Sequence, residues 1–378
     1  MSGSLYVVAG ELSGDVHAAG LLDALIAMRP GLEIRGAGGA RMRAVAGEGI
    51  HDWLDQSAVM GIVEVLKHYS FFKQSFDRML AEIMEQRPEV LLLVDYPGFN
   101  FRFAKAVRKA LPETKIVQYV CPQVWAWKKG RIPRMVELFD EVLCLLPFEP
   151  KIFAKTRLKA TFVGHPLVDE LEESRLPACE LAKREADLVA LLPGSRRPEV
   201  DKLFPMMLET AKRLRVGREE LRFAVPAANS ALKARMLELS REVDLGGRLE
   251  ILDGGAHELM QKAACGVVAS GTATVEAGYY GLPYCLVYRL AWPTFLVAKM
   301  VVKIEFAGLV NILAGEEIVE EFIQSEADPC RVSRALEVFL DRPAEVARLQ
   351  ARLKETLDKL GGAGAHRRAA QAVNAWFP

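Results

Sequence analysis

The sequence predicts an α/β protein built from two Rossmann-like, doubly wound domains that face each other across a cleft. Short runs rich in Val, Ile and Leu alternate with amphipathic segments, and the runs lack the alternation of strands with one face in water. The same rhythm starts a second time after a charged stretch near the middle of the chain. A length of 378 residues, 51% of them hydrophobic, suffices for two such domains.

The first half of the chain contains six candidate strands, which are predicted to lie in a parallel sheet that is buried on both faces. They span residues 5–8, 33–35, 90–94, 115–120, 141–145 and 161–163. Amphipathic segments at 18–27 and 101–110 lie between them and predict helices that cover the sheet. We therefore expect a first domain over residues 1–168.

The second half repeats the pattern and predicts a second domain over residues 169–344. Its candidate strands span residues 188–192, 222–225, 249–252, 266–269 and 284–288. We place the linker between the domains near residues 166–185, which include Pro177 and many charged side chains. The end of the chain is helical, with Asp341 as the N-cap and Gly361 as a stop signal.

Composition excludes several classes of protein. Forty-nine basic residues balance 49 acidic ones, so net charge predicts no nucleic-acid partner. The six cysteines form no C-x-x-C pair, which favours a reduced, cytosolic protein without a zinc site. The N-terminus lacks a signal-peptide pattern, and no uncharged apolar stretch reaches the ~18 residues of a membrane-spanning helix.

Common cofactor motifs are also absent from the sequence. It has no phosphate loop of the G-x-x-x-x-G-K-[ST] type, and Gly36-Ala37-Gly38-Gly39 departs from the dinucleotide fingerprint at Arg41. It has no D-x-D motif, so an enzyme acting on a nucleotide diphosphate would need protein groups, not a metal ion, to neutralise the phosphates. The sequence therefore predicts neither a cofactor nor a metal.

The second domain contains two loops that are suited to phosphate. Residues 269–276, Ala-Ser-Gly-Thr-Ala-Thr-Val-Glu, follow an apolar strand and open a helix, whose N-terminus attracts anions. Their hydroxyl groups are further donors, and Glu276 is expected to accept hydrogen bonds from a ribose. Residues 192–197 end another strand and place Arg196 at the same sheet edge. A capped, buried helix is the alternative for the first loop taken alone.

The first domain has polar residues at the ends of two strands. Residues 10–17, Gly-Glu-Leu-Ser-Gly-Asp-Val-His, end the first strand and open a helix. Asp95 ends the strand at 90–94, and ligands of open α/β sheets bind beyond such carboxyl ends. Helix capping by Ser13, Asp15 or Asp95 is the alternative that the sequence leaves open.

Eight motifs occur in an order that resembles one bacterial enzyme family. They lie at residues 10–17, 60–65 (Met-Gly-Ile-Val-Glu-Val), 95–100, 122–127 (Pro-Gln-Val-Trp-Ala-Trp), 164–166, 193–196, 270–276 and 311–315. From about residue 5 to 375 the chain resembles the lipid A disaccharide synthases, which are glycosyltransferases of the GT-B class. It departs from the family pattern at Leu12, at Cys121-Pro122-Gln123 and at Val310.

The resemblance implies an inverting, metal-independent reaction. UDP-2,3-diacylglucosamine is joined to 2,3-diacylglucosamine 1-phosphate (lipid X) through a β-1,6 bond, and UDP is released. Such a displacement needs a base for the acceptor hydroxyl and stabilisation of the departing UDP. The resemblance also implies that the final helices, from about residue 345 to 378, cross back to complete the first domain, and that homodimers with exchanged C-terminal parts occur.

The resemblance also implies roles for individual residues. The residues expected to bind UDP are Ser195, Arg196, Ser270, Gly271, Thr272, Thr274, Glu276 and Asn311. Asp95 is expected to be the general base, with His17 as the fallback or as a relay to Asp95. The residues expected in the cleft around the sugars are Glu11, Ser13, Gly14, Asp15 and Trp125.

Local charge and apolarity in the first domain predict a peripheral contact with the inner face of the inner membrane. Residues 102–134 hold nine Lys or Arg and one acidic residue, a net charge of +8, while residues 59–80 mix apolar and basic side chains. The predicted contacts are Phe71, Phe72, Lys128, Lys129 and Arg131. A solvated helix face and a core helix are the ordinary alternatives.

Two other functions remain open from the sequence. Another GT-B enzyme, such as a UDP-sugar 2-epimerase or a peptidoglycan glycosyltransferase, would share the UDP site without needing the apolar segment at 60–80. A non-catalytic regulator that binds nucleotide sugars would keep the UDP pocket, but the presence of Asp95 argues against it.

Overall fold

The computed structural model describes residues 3–54, 69–177, 184–290 and 305–378. They divide into unit 1, which comprises Met1–Asp169 and Leu360–Pro378, and unit 2, which comprises Glu170–Lys359. Each unit is built on one sheet whose strand pairs are parallel, so the prediction of a two-part α/β protein is confirmed. The motif at 60–65, much of the segment at 59–80 and part of the predicted linker lie outside the described residues.

Unit 1 contains a seven-stranded sheet in the order β3-β2-β1-β4-β5-β6-β7. Its strands are β1 (Ser4–Ala9), β2 (Glu33–Gly38), β3 (Ile50–Asp52), β4 (Val90–Val94), β5 (Lys115–Tyr119), β6 (Glu141–Cys144) and β7 (Lys159–Phe162). Its helices are α1 (Leu12–Met28), α2 (Ala40–Ala46), α3 (Tyr69–Gln86), α4 (Pro97–Ala110), α5 (Ile132–Leu138), α6 (Glu149–Phe153) and α7 (Leu167–Glu173), the last of which runs on into unit 2.

The sheet of unit 1 is covered on both faces, as its continuous apolar strands predict. Alternate residues of β1 belong to two separate core clusters, with Val7 in one and Tyr6 and Val8 in the other. All five residues of β4 are buried. Because β1 pairs with β2 on one side and β4 on the other, the strand order reverses there, and such a switch point leaves a crevice at the carboxyl ends.

Unit 1 is completed by the end of the chain. Helix α15 (Ala365–Asn374) packs against α1, and it packs so closely that a Cβ atom added to Gly20 would lie 2.4 Å from Nδ1 of His366. The Arg368 guanidinium donates hydrogen bonds of 2.7–2.8 Å to the carbonyls of Val163, Gly362 and Ala363. The bond to Val163 ties the returning segment to the end of β7, and the other two order the segment itself.

The return to unit 1 begins later than the sequence indicates. We predicted it at about residue 345, but α14 (Pro343–Leu357) belongs to unit 2, and the return begins at Leu360. Leu353 and Leu357 pack against Gly278, where an added Cβ atom would come within 2.9 Å of Leu357. The apolar spacing of a helix shows that it has a buried face but does not show which unit that face contacts.

Unit 2 contains a six-stranded sheet in the order β10-β9-β8-β11-β12-β13. Its strands are β8 (Glu185–Leu192), β9 (Arg222–Ala227), β10 (Leu249–Asp253), β11 (Ala263–Ala269), β12 (Tyr284–Tyr288) and β13 (Glu321–Ile323). Its helices are α8 (Arg197–Leu214), α9 (Ser230–Ser240), α10 (Ala256–Lys262), α11 (Thr272–Tyr279), α12 (Leu309–Ala314), α13 (Pro329–Asp341) and α14.

The central strands of unit 2 bring its two predicted phosphate loops together. β8 and β11 are neighbours in the sheet, with Leu192 opposite Val268, so the loops that follow them leave the same edge side by side. One face of these strands packs on α8 and α13 through residues such as Phe204 and Leu336. The three-residue strands β3 and β13 were not predicted, because they are too short to show a pattern.

Within the described ranges, none of the helices combines the length and the apolar character that crossing a membrane requires.

Candidate functional site

Unit 2 has a cavity of about 440 Å³ at the carboxyl edge of its sheet. The loops after β8 and β11 form two of its walls, and residues at the ends of β9, β10 and β12 complete it. Six of the eight residues predicted to bind UDP line this cavity: Ser195, Arg196, Ser270, Gly271, Thr272 and Glu276. The sequence-predicted loops are thus brought together around one space.

The N-terminus of α11 opens onto the cavity. Gly271 has a φ of +151°, a conformation that glycine adopts far more easily than other residues, and it directs the chain into the helix. Ser270 donates its backbone N–H to the Val287 carbonyl at 3.0 Å, which joins the loop to β12. The first amides of a helix have no intrahelical acceptor, so those at Thr272 and Ala273 are available to an anion.

The loop after β8 is organised by Glu199, a residue that sequence analysis missed. Gly194 has a φ of +103°, and a Cβ atom there would lie 2.2 Å from the Glu199 carboxylate. Glu199 Oε2 accepts the backbone N–H of Arg196 at 3.3 Å, and Oε1 lies 3.9 Å from the Arg196 guanidinium. The guanidinium is still 63% exposed, so it can reach a ligand. The signal that could have identified Glu199 is its place at the third residue of a helix, where a glutamate caps the start.

Glu276 has a partner that the sequence analysis also missed. Its carboxylate lines the cavity and is 16% exposed, and Oε2 lies 3.5 Å from Nε2 of His257. The Glu276 carboxylate raises the pKa of His257 above its usual value, against the opposing effect of burial. The two residues are 19 positions apart, so no local pattern links them.

The two other predicted UDP ligands do not line the cavity. Thr274 is fully buried, and its hydroxyl donates to the Gly271 carbonyl at 2.7 Å. Asn311 is buried, and its amide oxygen accepts two backbone N–H groups while its nitrogen donates to Val319 and Glu321 at 2.7 and 2.8 Å. Both side chains brace the surrounding loops, so any effect on a ligand would be indirect.

Asp95 lies at the carboxyl end of β4 in a strained conformation. Asp95 and Tyr96 have φ values of +49° and +45°, which place two successive non-glycine residues in the left-handed region. The Asp95 carbonyl accepts hydrogen bonds from the buried amides of Asn100 and Gln118. Burial raises the pKa of the Asp95 carboxyl above its usual value. A strained, partly buried carboxylate at a strand end is a candidate catalytic group.

Of the glycines in the first loop, Gly10 makes room for this turn and Gly14 lies beside it. A Cβ atom on Gly10 would lie 2.2 Å from the Tyr96 ring, so only glycine lets the ring approach. An added Cβ on Gly14 would be in ordinary contact, 3.8 Å from Cβ of Asp95. The predicted cleft residue Gly14 is therefore next to Asp95.

The other predicted residues of this loop differ in their surroundings. Glu11 and Ser13 are exposed at the start of α1. Asp15 is 3% exposed and accepts three backbone N–H groups at the start of α2, at 2.8–3.1 Å. It therefore caps α2, which was the alternative that the sequence left open for it, although the helix differs from the one expected.

His17 is half-buried in a cluster of aromatic and imidazole rings. Its ring centroid lies 6.3 Å from that of Tyr119 and 6.4 Å from that of His366. Burial, with smaller effects from His165 and His366, lowers the pKa of His17 to about 4. Its ring is therefore neutral at physiological pH.

Trp125 belongs to a buried cluster beside the ends of β5 and β6. Its indole donates to the Glu149 carboxylate at 3.2 Å, and its ring packs edge-on against Phe148. In the part of the chain that the structure describes, Glu149, Cys121 and Cys144 are the one group of potential metal ligands, with ligand atoms within 4.8 Å of one another.

This donor set does not suit a structural zinc ion. Such sites use four ligands, whereas three are present in this group. Glu149 already accepts the Trp125 indole and two backbone N–H groups at 3.0 and 3.1 Å. Burial raises the pKa of Glu149 to about 7, and a hydrogen bond to Cys144 together with burial raises the pKa of the Cys121 thiol. These groups stabilise the turn after β6.

The predicted membrane contacts fall into two groups. Lys128 lies 4.0 Å from the centre of the Trp127 ring and Arg131 lies 5.8 Å from it. With Lys129 they form a basic–aromatic patch, in which Arg131 is half-buried and the other three residues are exposed. Phe71 and Phe72 are half-buried and pack against Trp53 at ring distances of 6.3 and 6.4 Å. Part of the surface of both phenylalanine side chains is therefore buried by packing within unit 1.

A family model for lipid-A-disaccharide synthetase matches residues 5–376 of the chain. The chain belongs to the lipid-A-disaccharide synthetase family. Among its relatives, a lipid-A-disaccharide synthase of Trichlorobacter lovleyi is 36% identical over 371 residues, which cover 97% of this chain and 96% of that protein. The resemblance stated from the motifs is therefore confirmed, and with it the expectation of a glycosyltransferase enzyme of lipid A biosynthesis.

Solved structures support the fold of this family member. A UDP-N-acetylglucosamine 2-epimerase described as putative, from Listeria monocytogenes, has a TM-score of 0.60 at 14% identity, over 99% of this chain and 95% of that one. The glycotransferase of kitacinnamycin has a TM-score of 0.58 at 17% identity, and all of both chains is covered. At such identities the likeness concerns the fold alone, and that fold is GT-B-like.

The lowered pKa of His17 predicts a specific loss of stability in acid. Its folded pKa of about 4 lies below the unfolded value of 6.5, so between these values the unfolded chain binds a proton that the folded chain excludes. The free energy of unfolding should fall by about 2–3 kcal/mol between pH 7.5 and 4.5 from this group. Urea unfolding at both pH values, in wild type and His17→Gln, measures the difference.

The control for this experiment is His51→Gln, which changes an exposed histidine of the same unit. It should keep the acid sensitivity of the wild type, whereas His17→Gln should lose this part of it. Equal acid sensitivity in wild type and His17→Gln would contradict a neutral His17.

Proposed function

We propose that this protein joins UDP-2,3-diacylglucosamine to 2,3-diacylglucosamine 1-phosphate through a β-1,6 bond and releases UDP. Family membership over residues 5–376 is the observation that carries this proposal. It also favours this reaction over a UDP-sugar 2-epimerase, because the epimerase neighbour resembles the chain in fold alone.

The cavity of unit 2 is proposed to hold the UDP part of the donor. A diphosphate needs cationic or N–H donors, and the cavity offers the Arg196 guanidinium together with the first amides of α11. Glu276 would accept hydrogen bonds from the ribose hydroxyls, and the hydroxyls of Ser195, Ser270 and Thr272 would supply further contacts. The same donors would stabilise the charge on departing UDP without a metal ion.

Asp95 is proposed as the base that takes the proton of the acceptor 6-hydroxyl. An alcohol becomes a good nucleophile only as its proton leaves, and a base works best when its pKa lies near the working pH. Burial raises the pKa of Asp95 towards that range, whereas burial lowers the pKa of His17 to about 4. These opposite directions favour Asp95 over His17 as the base.

A peripheral contact with the cytoplasmic face of the inner membrane is proposed for the patch at Trp127, Lys128, Lys129 and Arg131. Its basic groups lie around an aromatic ring that is 37% exposed, which suits an interface with anionic lipid. A membrane contact suits the proposed substrates, because both sugars carry fatty acyl chains.

Replacing Arg196 tests the nucleotide site. Arg196→Ala should weaken UDP binding about ten- to a hundredfold, since a charge-assisted hydrogen bond contributes about 1.5–3 kcal/mol. The matched control is Arg197→Ala, which removes the neighbouring exposed guanidinium, a group that pairs with Asp201 and does not line the cavity. Calorimetric titration with UDP measures both, and wild-type turnover should be unchanged in EDTA. Equal UDP affinity for both variants would refute the assignment.

Replacing Asp95 tests the base. Asp95→Asn keeps the size of the side chain but cannot accept the proton, so kcat should fall about 10²–10⁴-fold while UDP affinity stays the same. Mass analysis of the disaccharide gives the rate, and Asp23→Asn on the exposed side of α1 is the control. Near-normal turnover of Asp95→Asn, with collapse of His17→Gln, would reassign the base to His17.

Vesicle sedimentation tests the membrane patch. The double variant Lys128→Ser and Arg131→Ser should bind anionic vesicles about thirtyfold more weakly, because each basic group near such a surface contributes about 1 kcal/mol. Lys212→Ser with Arg213→Ser, two exposed residues of unit 2, is the matched control. High salt should release the wild type in part. Undiminished binding of the first double variant would place the contact elsewhere.

A further inference from the structure

His257 lies behind the wall of the proposed nucleotide cavity, in contact with the lining residue Glu276, and it was not predicted as a ligand. Helix α10 starts after Gly254 and Gly255, whose φ values of +75° and +74° turn the chain at the end of β10. Ala256 and Met260 of this helix line the cavity. His257 is thus carried on an element that the cavity itself uses.

The imidazole of His257 faces the carboxylate expected to bind ribose. Its Nε2 lies 3.5 Å from Oε2 of Glu276, and the two side chains are 32% and 16% exposed. The other side of the ring packs against Tyr280, with ring centroids 5.6 Å apart. With Oε2 paired, Oε1 of Glu276 is left to accept hydrogen bonds from a ligand.

The net charge of the His257–Glu276 pair affects how strongly an anionic ligand binds beside it. An ionised Glu276 beside a diphosphate adds a negative charge where the ligand already carries several, and like charges at close range disfavour binding. A proton on His257 makes the pair neutral overall. Because the cavity is partly screened from water, this charge compensation stabilises a bound anion more there than it would on an open surface.

We propose that His257 is a positioning residue for the nucleotide, which orients Glu276 and, when protonated, offsets its charge against the diphosphate. This inference rests on the proposed function of the unit 2 cavity and extends it to a residue outside the family motifs. It makes nucleotide affinity depend on pH through one identified side chain.

The acidic groups around His257 favour its protonated form. Glu276 of α11 and Glu170 of α7 both raise the pKa of His257, and burial opposes them. Tyr280 contributes its ring face, and its hydroxyl is turned away to donate to the Leu171 carbonyl at 3.1 Å. By linkage, a ligand that prefers the protonated form must raise the pKa of His257 by the logarithm of the factor that protonation adds to the affinity of the ligand.

The experiment compares His257→Gln with the wild type in binding UDP and uridine. Glutamine keeps a donor for Glu276 but cannot carry a charge. The ratio of UDP affinities, wild type to variant, should fall about three- to tenfold from pH 5.5 to 8.5 and approach one at the upper end. Ionisation of the UDP phosphate cancels in this ratio. With uridine, which has no phosphate, the ratio should stay flat.

NMR titration of the histidines supplies a second readout that a purely structural role would not move. UDP should raise the measured pKa of His257 by about 0.5–1 unit, and uridine by much less. The His257→Gln spectrum assigns the signal among the six histidines. His51→Gln, which removes a histidine paired with Glu82 in unit 1, is the matched control and should leave UDP affinity unchanged at every pH.

The outcomes separate this inference from the function on which it rests. If Arg196→Ala and Glu276→Gln weaken UDP binding while the wild type to His257→Gln ratio stays constant with pH, His257 has no such role and the nucleotide site stands. If none of the three variants changes UDP affinity, the nucleotide site itself is wrong. A pKa of His257 that UDP leaves unchanged would also overturn the inference.

Discussion

The left-handed backbone at Asp95 and Tyr96 is the constraint around which unit 1 is arranged. Two such residues in succession cost about 1–3 kcal/mol each, so the surrounding structure must hold them. It does so from two sides, because buried amides of Asn100 and Gln118 fix the Asp95 carbonyl while Gly10 admits the Tyr96 ring. The turn stops β4 and starts α4 within a few residues, which leaves the carboxylate at the sheet edge.

In unit 2, side chains at the cavity are held in place by ionic contacts. Carboxylates lie beside the groups that are offered to an anion, with Glu199 next to Arg196 and Glu276 next to His257. Each acid would cost some attraction for the proposed diphosphate ligand, yet each also orders a neighbouring side chain before a ligand arrives. Preorganisation of this kind reduces the entropy lost on binding, so a site without metal-binding motifs still has donors in place.

The sequence predicts the elements well and the contacts between them less well. The strand at Val90–Val94 was predicted with its observed bounds, and the loops after β8 and β11 were placed correctly because strand ends share an edge. Gln118, Glu199 and His257 were missed. Gln118 contacts Asp95 because β4 pairs with β5, and His257 contacts Glu276 because two helices lie side by side. Neither contact produces a periodic pattern that could be recognised in a single sequence.

The late position of the segment Leu360–Pro378 affects how the chain is made. Helix α15 covers the face of α1 that carries His17 and Gly20, but the ribosome produces it only after all of unit 2. At ordinary rates of translation, that face waits roughly 20–70 s for its cover, while unit 2 is already complete. A stop codon at Leu360 would therefore remove part of unit 1 while leaving every residue of unit 2 in the chain.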